Sequence, residues 1–250
     1  MSVVKDCDLL NISKWPYHRR IVSAGTIQKW SDYDTKELFE QNCKIPENFQ
    51  KLKSFGWLDT EIEYKYNKQG FRSIEFDLNL LAGLALGCSQ TEGIGIDNKD
   101  TWVSVLSEEI QHPIYNLGVG ASAMDTVYRI AEYWIPVLKP KFVVMACPGK
   151  YRLEICDYNG NYRTYFPRID TDSILYKEWI MNTENSNKNF AKNLSAIKYI
   201  CSQYNIPIAY IIDTWEAMER DTSARDLSHA GANANFNFAM KMLEQMNGII

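Results

Sequence analysis

The sequence predicts an α/β protein, built as a three-layer α/β/α sandwich around a mainly parallel, flavodoxin-like sheet. From residue 78 onward, short apolar runs alternate with longer amphipathic stretches, which is the pattern of successive strand and helix pairs. Right-handed crossovers point the carboxyl ends of parallel strands to one edge of the sheet. Residues 89, 118–122 and 147–152 each fall just past an apolar run, so we expect them to meet at that edge.

Each element of the sheet and its covering layers follows from its own pattern. Apolar runs predict strands over residues 80–86, 113–117, 141–146 and 207–212. Amphipathic stretches predict helices over residues 101–111, 123–138, 189–204 and 232–246. The Asn-rich stretch at 182–189 is expected to be a solvated loop.

The first 75 residues are expected to form an N-terminal extension to a main domain over residues 76–250. Helical patterns occur at 34–42 and 47–55, and residues 61–67 alternate like a half-buried strand.

An insertion is predicted within the main domain at about residues 151–188, with a hairpin that turns at Asn159-Gly160. Its aromatic side chains are candidates either for stacking on sugar rings or for the ordinary packing of a cap. They are Tyr162, Tyr165, Phe166, Tyr176 and Trp179.

Composition narrows the class of protein. The chain has 250 residues, 46% of them hydrophobic, which suits one α/β domain with a substantial core. Its formal net charge is −4 and its charges are interspersed, so no nucleic-acid partner is expected. The N-terminus lacks the apolar run of a signal peptide, and no stretch approaches the roughly 18 apolar residues of a membrane span. We therefore expect neither an export signal nor a transmembrane segment, and a cytoplasmic chain.

The cysteines predict free thiols rather than a metal site. There are six, without Cys-x-x-Cys spacing, so we expect no zinc and no other metal. Cys88 and Cys147 lie close enough to the predicted strand ends to compete as nucleophiles, but a buried structural role is favoured for both.

Ser89 is the candidate nucleophile, because it stands in a small-residue turn that breaks an apolar run at a predicted strand end. A serine nucleophile needs a base, and the chain has three histidines: His18, His112 and His229. His229 follows Asp226 by three residues, so these two supply a base and an orienting acid if the fold brings them to Ser89.

Three motifs in this order resemble the sequence blocks of the SGNH, or GDSL-type, hydrolase family. Residues 87–93, Gly-Cys-Ser-Gln-Thr-Glu-Gly, resemble the first block, Gly-Asp-Ser-x-Thr-x-Gly. Residues 115–122 are similar to the second block, and residues 226–229 to the last block, Asp-x-x-His. The resemblance covers roughly residue 80 to the C-terminus. Residues 66–73 resemble, more loosely, members of viral and marine-bacterial type, which adds a virion to the expected locations.

The resemblance implies a serine ester hydrolase that cleaves an O-acyl ester of a carbohydrate or lipid, without a metal or organic cofactor. The expected partner is a small-molecule or glycan ester, and the oligomeric state stays open. Ser89 would attack the carbonyl, His229 would carry the proton, and Asp226 would orient His229. The oxyanion would be held by the N–H of Ser89 and that of Gly120 or Ala121.

The departures from the family pattern bear on the oxyanion. Cys88 stands where the family has aspartate, and Ala121 stands where it has a glycine. The asparagine of the third block is missing after residue 146, and Lys150, Tyr151 and Arg152 are the candidate replacements. A catalytically inactive domain that binds carbohydrate or builds a virion is therefore the alternative function. A flavodoxin-like nucleotide binder is disfavoured, because residues 87–95 lack the Lys-Ser/Thr of a P-loop.

Several of these residues also have structural interpretations. His18 is expected in a charged surface segment, and His112 at a helix end. Asp226 could instead form a surface ion pair with Arg225. In that case Asp213 is the next candidate for the orienting acid. Asn116 is expected to hold residues 118–122, the second-block loop, in place rather than to touch substrate.

Overall fold

The computed structural model describes residues 16–166, 174, 176–212, 214–218 and 222–248. Its strands are β1 (Ile27–Gln28), β2 (Tyr64–Lys65), β3 (Gly83–Leu86), β4 (Ile114–Asn116), β5 (Val143–Ala146), β6 (Leu153–Cys156), β7 (Tyr162–Tyr165) and β8 (Ile208–Ile211). Its α-helices are α1 (Lys36–Lys44), α2 (Pro46–Ser54), α3 (Ser89–Glu92), α4 (Trp102–Glu109), α5 (Met124–Leu138), α6 (Thr183–Gln203), α7 (Thr214–Ala217) and α8 (Ala232–Gln245).

A four-stranded parallel sheet lies at the centre, in the order β4-β3-β5-β8. The chain leaves β3 to pair β4 on one side and then crosses to β5 on the other side. The direction of winding therefore reverses at β3, and the carboxyl ends of β3 and β5 flank a switch point where open α/β sheets bind ligands. The predicted parallel sheet is confirmed.

Helices cover both faces of this sheet, which confirms the three-layer sandwich. Helices α5 and α6 pack on one face around Trp134 and Ile197, and α4 and α8 pack on the other around Trp102 and Phe238. Every residue of β3 and β5 is buried, as expected for strands that are covered on both sides. Among the described helices, none combines the length and apolar character needed to cross a bilayer.

The described part of the N-terminal segment packs directly on the loops around the sheet edge. Trp57 and Tyr64 share an apolar cluster with Ile94 and Ile96, which follow α3, and with Ala224, which precedes α8. The boundary at residue 75 stays a prediction.

The hairpin in the predicted insertion is confirmed, with β6 pairing β7 in antiparallel fashion. Gly160 takes a positive φ of 84° in the turn, which a glycine accommodates without strain. Tyr162 stacks on Tyr17 with ring centroids 5.7 Å apart, and the Arg129 guanidinium lies 3.9 Å from its ring centroid. Both of these contacts of Tyr162 lie within the protein.

The main elements match their predicted ranges to within three residues, except at the start of α6. That helix begins at Thr183 rather than at 189, so the prediction of a solvated loop at 182–189 is wrong. Asn182 caps the helix by accepting from the N–H groups of Glu184 and Asn185. The asparagines of this stretch start the helix instead of preceding it.

His18 is also not at the surface, contrary to prediction. Its side chain is buried, its Nε2 lies 3.0 Å from the carbonyl oxygen of Gln69, and its ring stacks on Phe71 at 4.3 Å. Burial lowers the pKa of His18 to about 3. The imidazole is therefore neutral and acts as a packed polar ring.

Candidate active site

Ser89 opens the one-turn helix α3 directly after β3. The turn into α3 requires glycine at position 87, because a Cβ there would lie 2.1 Å from Thr91 Oγ1 and 2.8 Å from Ala146 O. Ser89 is 6% exposed, and within the described residues its hydroxyl makes no hydrogen bond and keeps contact with solvent.

Asp226 and His229 form a hydrogen-bonded pair in the loop before α8. The carboxylate Oδ2 of Asp226 lies 2.5 Å from His229 Nδ1, and Oδ1 accepts from the His229 N–H at 3.0 Å. The Ser228 hydroxyl also donates to Oδ2, at 2.7 Å. With its Nδ1 proton directed at Asp226, His229 presents Nε2 as the proton acceptor.

The electrostatics of Asp226 suit an orienting acid. Burial opposes ionisation of this carboxyl group, but the hydrogen bonds from His229 and Ser228 outweigh burial and hold its pKa below the ordinary value. Asp226 is therefore ionised at neutral pH, although it is only 4% exposed. A buried anion beside Nδ1 stabilises an imidazolium when one forms.

Asp226 is free for this role because Arg225 has another partner. The Arg225 guanidinium donates to Asp34, with Nη2 2.6 Å from Oδ2, and both side chains are buried. The competing ion pair between Arg225 and Asp226 is thus not formed. Asp213, the next candidate for the orienting acid, lies outside the described residues.

The loops that carry Ser89 and His229 are tied together by hydrogen bonds. Gln90 Oε1 accepts from the N–H of Ala230 at 3.4 Å, and Gly95 O accepts from the N–H of Arg225 at 2.9 Å. These bonds join the neighbours of the two functional side chains. Within the described ranges, Ser89 Oγ and His229 Nε2 make no hydrogen bond to each other.

The second-block loop carries Gly120 and Ala121, the two predicted oxyanion donors outside Ser89. The N–H of Gly120 donates to Glu92 Oε2 at 2.5 Å, so it is already engaged within the protein. Ala121 has a positive φ of 64°, and in the described part of the chain its N–H, like that of Ser89, has no acceptor. The oxyanion role of either N–H stays a prediction.

Asn116 secures this loop, as predicted. Its Nδ2 donates to Thr91 O at 2.7 Å, and its Oδ1 accepts from the N–H of Gly118 at 2.9 Å. Both halves of the amide are used inside the protein, so Asn116 joins α3 to the second-block loop.

Tyr151 and Arg152, the candidate substitutes for the missing asparagine, contact other groups. Arg152 Nη1 donates to Ser122 O at 3.1 Å, and the Tyr151 hydroxyl lies 3.4 Å from Thr183 Oγ1. Arg152 therefore stabilises the second-block loop through its bond to Ser122. Neither contact directs a donor at Ser89.

Cys88 and Cys147 are buried, in keeping with their structural interpretation, and the His112 ring lies beside Phe142 at 5.7 Å. No group of three or more His, Cys, Asp or Glu side chains among the described residues has the arrangement of a metal site.

Two residues near this site are not predicted by the sequence motifs. Glu92 is fully buried and pairs with Arg20, and the Tyr33 ring lies 6.3 Å from the His229 ring. The signal for Glu92 is present in the sequence: it is the one charged residue in the run 80–96, and a charge must be paired if the run is buried.

No family model and no curated protein matches the sequence. Solved structures do match in fold. TesA is 13% identical with a TM-score of 0.40, and the match covers 68% of this chain and 99% of that chain. The psychrotrophic esterase EstA from Pseudoalteromonas sp. is 14% identical with a TM-score of 0.37, over 67% and 97% of the two chains. The Clostridium thermocellum family 3 carbohydrate esterase is 14% identical with a TM-score of 0.37, over 68% and 96%. The likeness concerns the fold alone, and the SGNH resemblance of this chain stands on the three motifs around Ser89, Gly118 and His229.

Proposed function

We propose that the chain is a serine ester hydrolase of SGNH type, with Ser89 as nucleophile, His229 as general base and Asp226 as orienting acid. The observation that carries the proposal is the hydrogen-bonded pair of the buried Asp226 and the partly exposed His229, joined at 2.5 Å. That pair leaves Nε2 as the acceptor on a loop hydrogen-bonded to the Ser89 helix. A serine, an imidazole and a buried carboxylate on neighbouring loops are the parts of an acyl-transfer triad.

The reaction proceeds in two halves. His229 takes the proton of Ser89 as the hydroxyl attacks the ester carbonyl, and then donates that proton to the leaving alcohol as the carbon–oxygen bond breaks. Water, deprotonated by His229, attacks the acyl-enzyme, and Ser89 recovers its proton when the carboxylic acid leaves. Asp226 stays ionised throughout and stabilises the imidazolium.

The oxyanion is assigned to the N–H groups of Ser89 and Ala121. Both lack acceptors within the described residues, whereas the Gly120 N–H is engaged by Glu92. Each such donor is typically worth about 10²–10³-fold in rate. Without the third-block asparagine, a site with two donors is expected to be slower than one with three.

Substrate binding has to complete the contact between Ser89 and His229. Catalytic hydrogen bonds are often long before substrate binds and tighten only in the complex. The His229 side chain is 11% exposed, so an incoming ester can reach it. We assign the triad on this basis.

A cavity beside the second-block loop suits part of an ester substrate. Its volume is about 320 Å³, at the lower end of the roughly 300–1,000 Å³ of ligand sites. Its lining includes Ala121 and Ser122 together with the aromatic residues Tyr17, Tyr162 and Phe166. Aromatic and polar groups together fit the alcohol part of a carbohydrate ester as well as a short acyl chain, and we propose an O-acyl ester of a carbohydrate or lipid.

Hydrolysis of p-nitrophenyl esters of increasing acyl length tests the proposal. Ser89→Ala and His229→Gln are expected to lose nearly all activity, because each removes a member of the triad. His112→Gln and Cys88→Ala are the matched controls, since each alters a histidine or thiol outside the proposed machinery. Full activity in Ser89→Ala, or equal losses in the controls, would contradict the assignment.

A second candidate function is a binding or virion module that has lost catalysis. The observation that favours it is residues 147–152, which read Cys-Pro-Gly-Lys-Tyr-Arg and supply no asparagine as the third oxyanion donor. Glycan binding that survives Ser89→Ala, measured by calorimetry in a chain without esterase activity, would support this candidate over the hydrolase.

A further inference from the structure

Glu92 is a charged side chain with no exposure at all, three residues after Ser89 on the same turn of helix. Three donors converge on its carboxylate. Oε1 accepts from Arg20 Nε at 2.7 Å and from the Tyr66 hydroxyl at 3.0 Å. Oε2 accepts from the N–H of Gly120 at 2.5 Å.

Burial of the Glu92 carboxylate carries a large desolvation cost. Removing an unpaired charge from water costs several kcal/mol, so the carboxylate is retained only because its donors pair with it. Burial by itself lowers the pKa of Arg20, but the nearby Glu92 carboxylate, together with Tyr66 and Asp32, outweighs burial and holds that pKa above its ordinary value. Burial and the same carboxylate raise the pKa of Tyr66, so both groups stay protonated and donate.

The bond from Gly120 fixes the geometry of the second-block loop. Gly120 is the residue before Ala121, whose φ of 64° turns the chain at the assigned oxyanion donor. Without Glu92 Oε2 the Gly120 N–H would be a buried donor with no acceptor, which is unfavourable and favours another loop conformation. A Cβ at Gly120 would lie only 3.0 Å from Glu92 Oε2, so the loop and the carboxylate are in close contact.

We propose that Glu92 is a positioning residue, which sets the Ala121 N–H relative to the Ser89 hydroxyl. The inference rests on the proposed esterase function. Because Ser89 and Glu92 belong to one helical turn, the nucleophile and the loop that holds the oxyanion are fixed to a common body. Arg20 anchors the carboxylate from the N-terminal segment, which gives that segment a part in the active site.

Glu92→Gln is the informative variant. The three donors now share the two oxygens of a carboxylate, whereas the amide of glutamine offers them a single acceptor oxygen. Tyr66→Phe is the matched control. It removes a hydrogen bond to Oε1 of the same carboxylate at similar burial, and it leaves the bond from Gly120 to Oε2 in place. The two variants separate a loss of stability from a loss of loop geometry.

The measurements are kcat and KM for a p-nitrophenyl ester, with the amide proton shift of ¹⁵N-glycine-labelled protein as a second readout. We expect Glu92→Gln to lower kcat by about 10- to 100-fold with KM nearly unchanged, part of the value of an oxyanion donor. Tyr66→Phe is expected to lower kcat by at most about threefold. The Gly120 amide proton, shifted downfield by its short bond to a carboxylate, is expected to move upfield in Glu92→Gln alone.

An unchanged kcat in Glu92→Gln, or equal losses in the two variants, would overturn the inference. If Glu92→Gln fails to fold, Gly120→Ala is the second variant: its Cβ would lie 3.0 Å from Glu92 Oε2 and 3.0 Å from the Tyr33 ring, and a loss of kcat is expected from it, with Tyr33→Leu as the control for the ring contact. A wild-type protein that neither hydrolyses esters nor reacts with a fluorophosphonate would instead refute the esterase function on which the inference rests.

Discussion

Replacing Asp34 by asparagine is expected to lower the free energy of unfolding by about 3–5 kcal/mol, the usual cost of removing one partner from a buried ion pair. Asp34 is 1% exposed and its partner side chain, Arg225, is 4% exposed. The carboxylate accepts from Arg225 Nη2 at 2.6 Å and from the Tyr64 hydroxyl at 2.6 Å. An amide leaves the guanidinium buried without a counter-charge, and it presents an NH₂ group where two donors already point.

Lys29 and Glu61 provide the matched control, because they form an ion pair of similar length at the surface. Their charged atoms lie 2.9 Å apart, and the side chains are 63% and 77% exposed. Exposed pairs contribute about 0.2–1 kcal/mol, so Glu61→Gln is expected to have little effect.

Urea unfolding followed by tryptophan fluorescence measures both losses, and thermal unfolding gives a second value. At about 2 °C per kcal/mol for a chain of this size, Asp34→Asn is expected to lower Tm by about 6–10 °C. A loss no larger than that of Glu61→Gln would refute the claim that the N-terminal segment is held to the His229 loop by a buried charge pair.

Three further predictions follow from the described contacts. Asp226→Asn is expected to lower kcat by about 10⁴-fold in steady-state assays, because the amide no longer holds the imidazole in the required tautomer. His18 stays neutral in the folded state down to about pH 3 but takes a proton below pH 6.5 when unfolded. Wild type should therefore lose up to about 1.4 kcal/mol per pH unit relative to His18→Gln as the pH falls from 6.5 towards 3, as measured by urea unfolding. Burial raises the pKa of the Cys201 thiol to about 11, so native protein should react with iodoacetamide at the exposed Cys156 and not at Cys201, as resolved by peptide mass spectrometry.

The sheet and most helices could be predicted because they depend on local periodicity. The apolar runs that became β3 and β5 are buried on both faces, and such runs are readable without knowledge of their partners. The start of α6 differs from its prediction because an Asn-rich stretch is typical of a loop. Here Asn182 caps the helix, and Asn189 and Asn193 donate to Asp125.

The candidate site could be predicted only where its residues lie within short motifs. Asp226 and His229 are three residues apart, and their contact follows from that spacing. Arg20 and Glu92 are 72 residues apart and Asp34 and Arg225 are 191 apart, so no local pattern links the members of either pair. Buried charges are paired by the tertiary fold, and one sequence does not specify those pairs.

Reaction with a fluorophosphonate probe, read by peptide-resolved mass spectrometry, tests the central claim most directly. Wild type is expected to carry a single adduct on Ser89, and His229→Ala is expected to carry none, because the serine hydroxyl reacts only when a base removes its proton. No adduct on folded wild-type protein, or an adduct on Ser89 that persists in His229→Ala, would contradict the proposed triad.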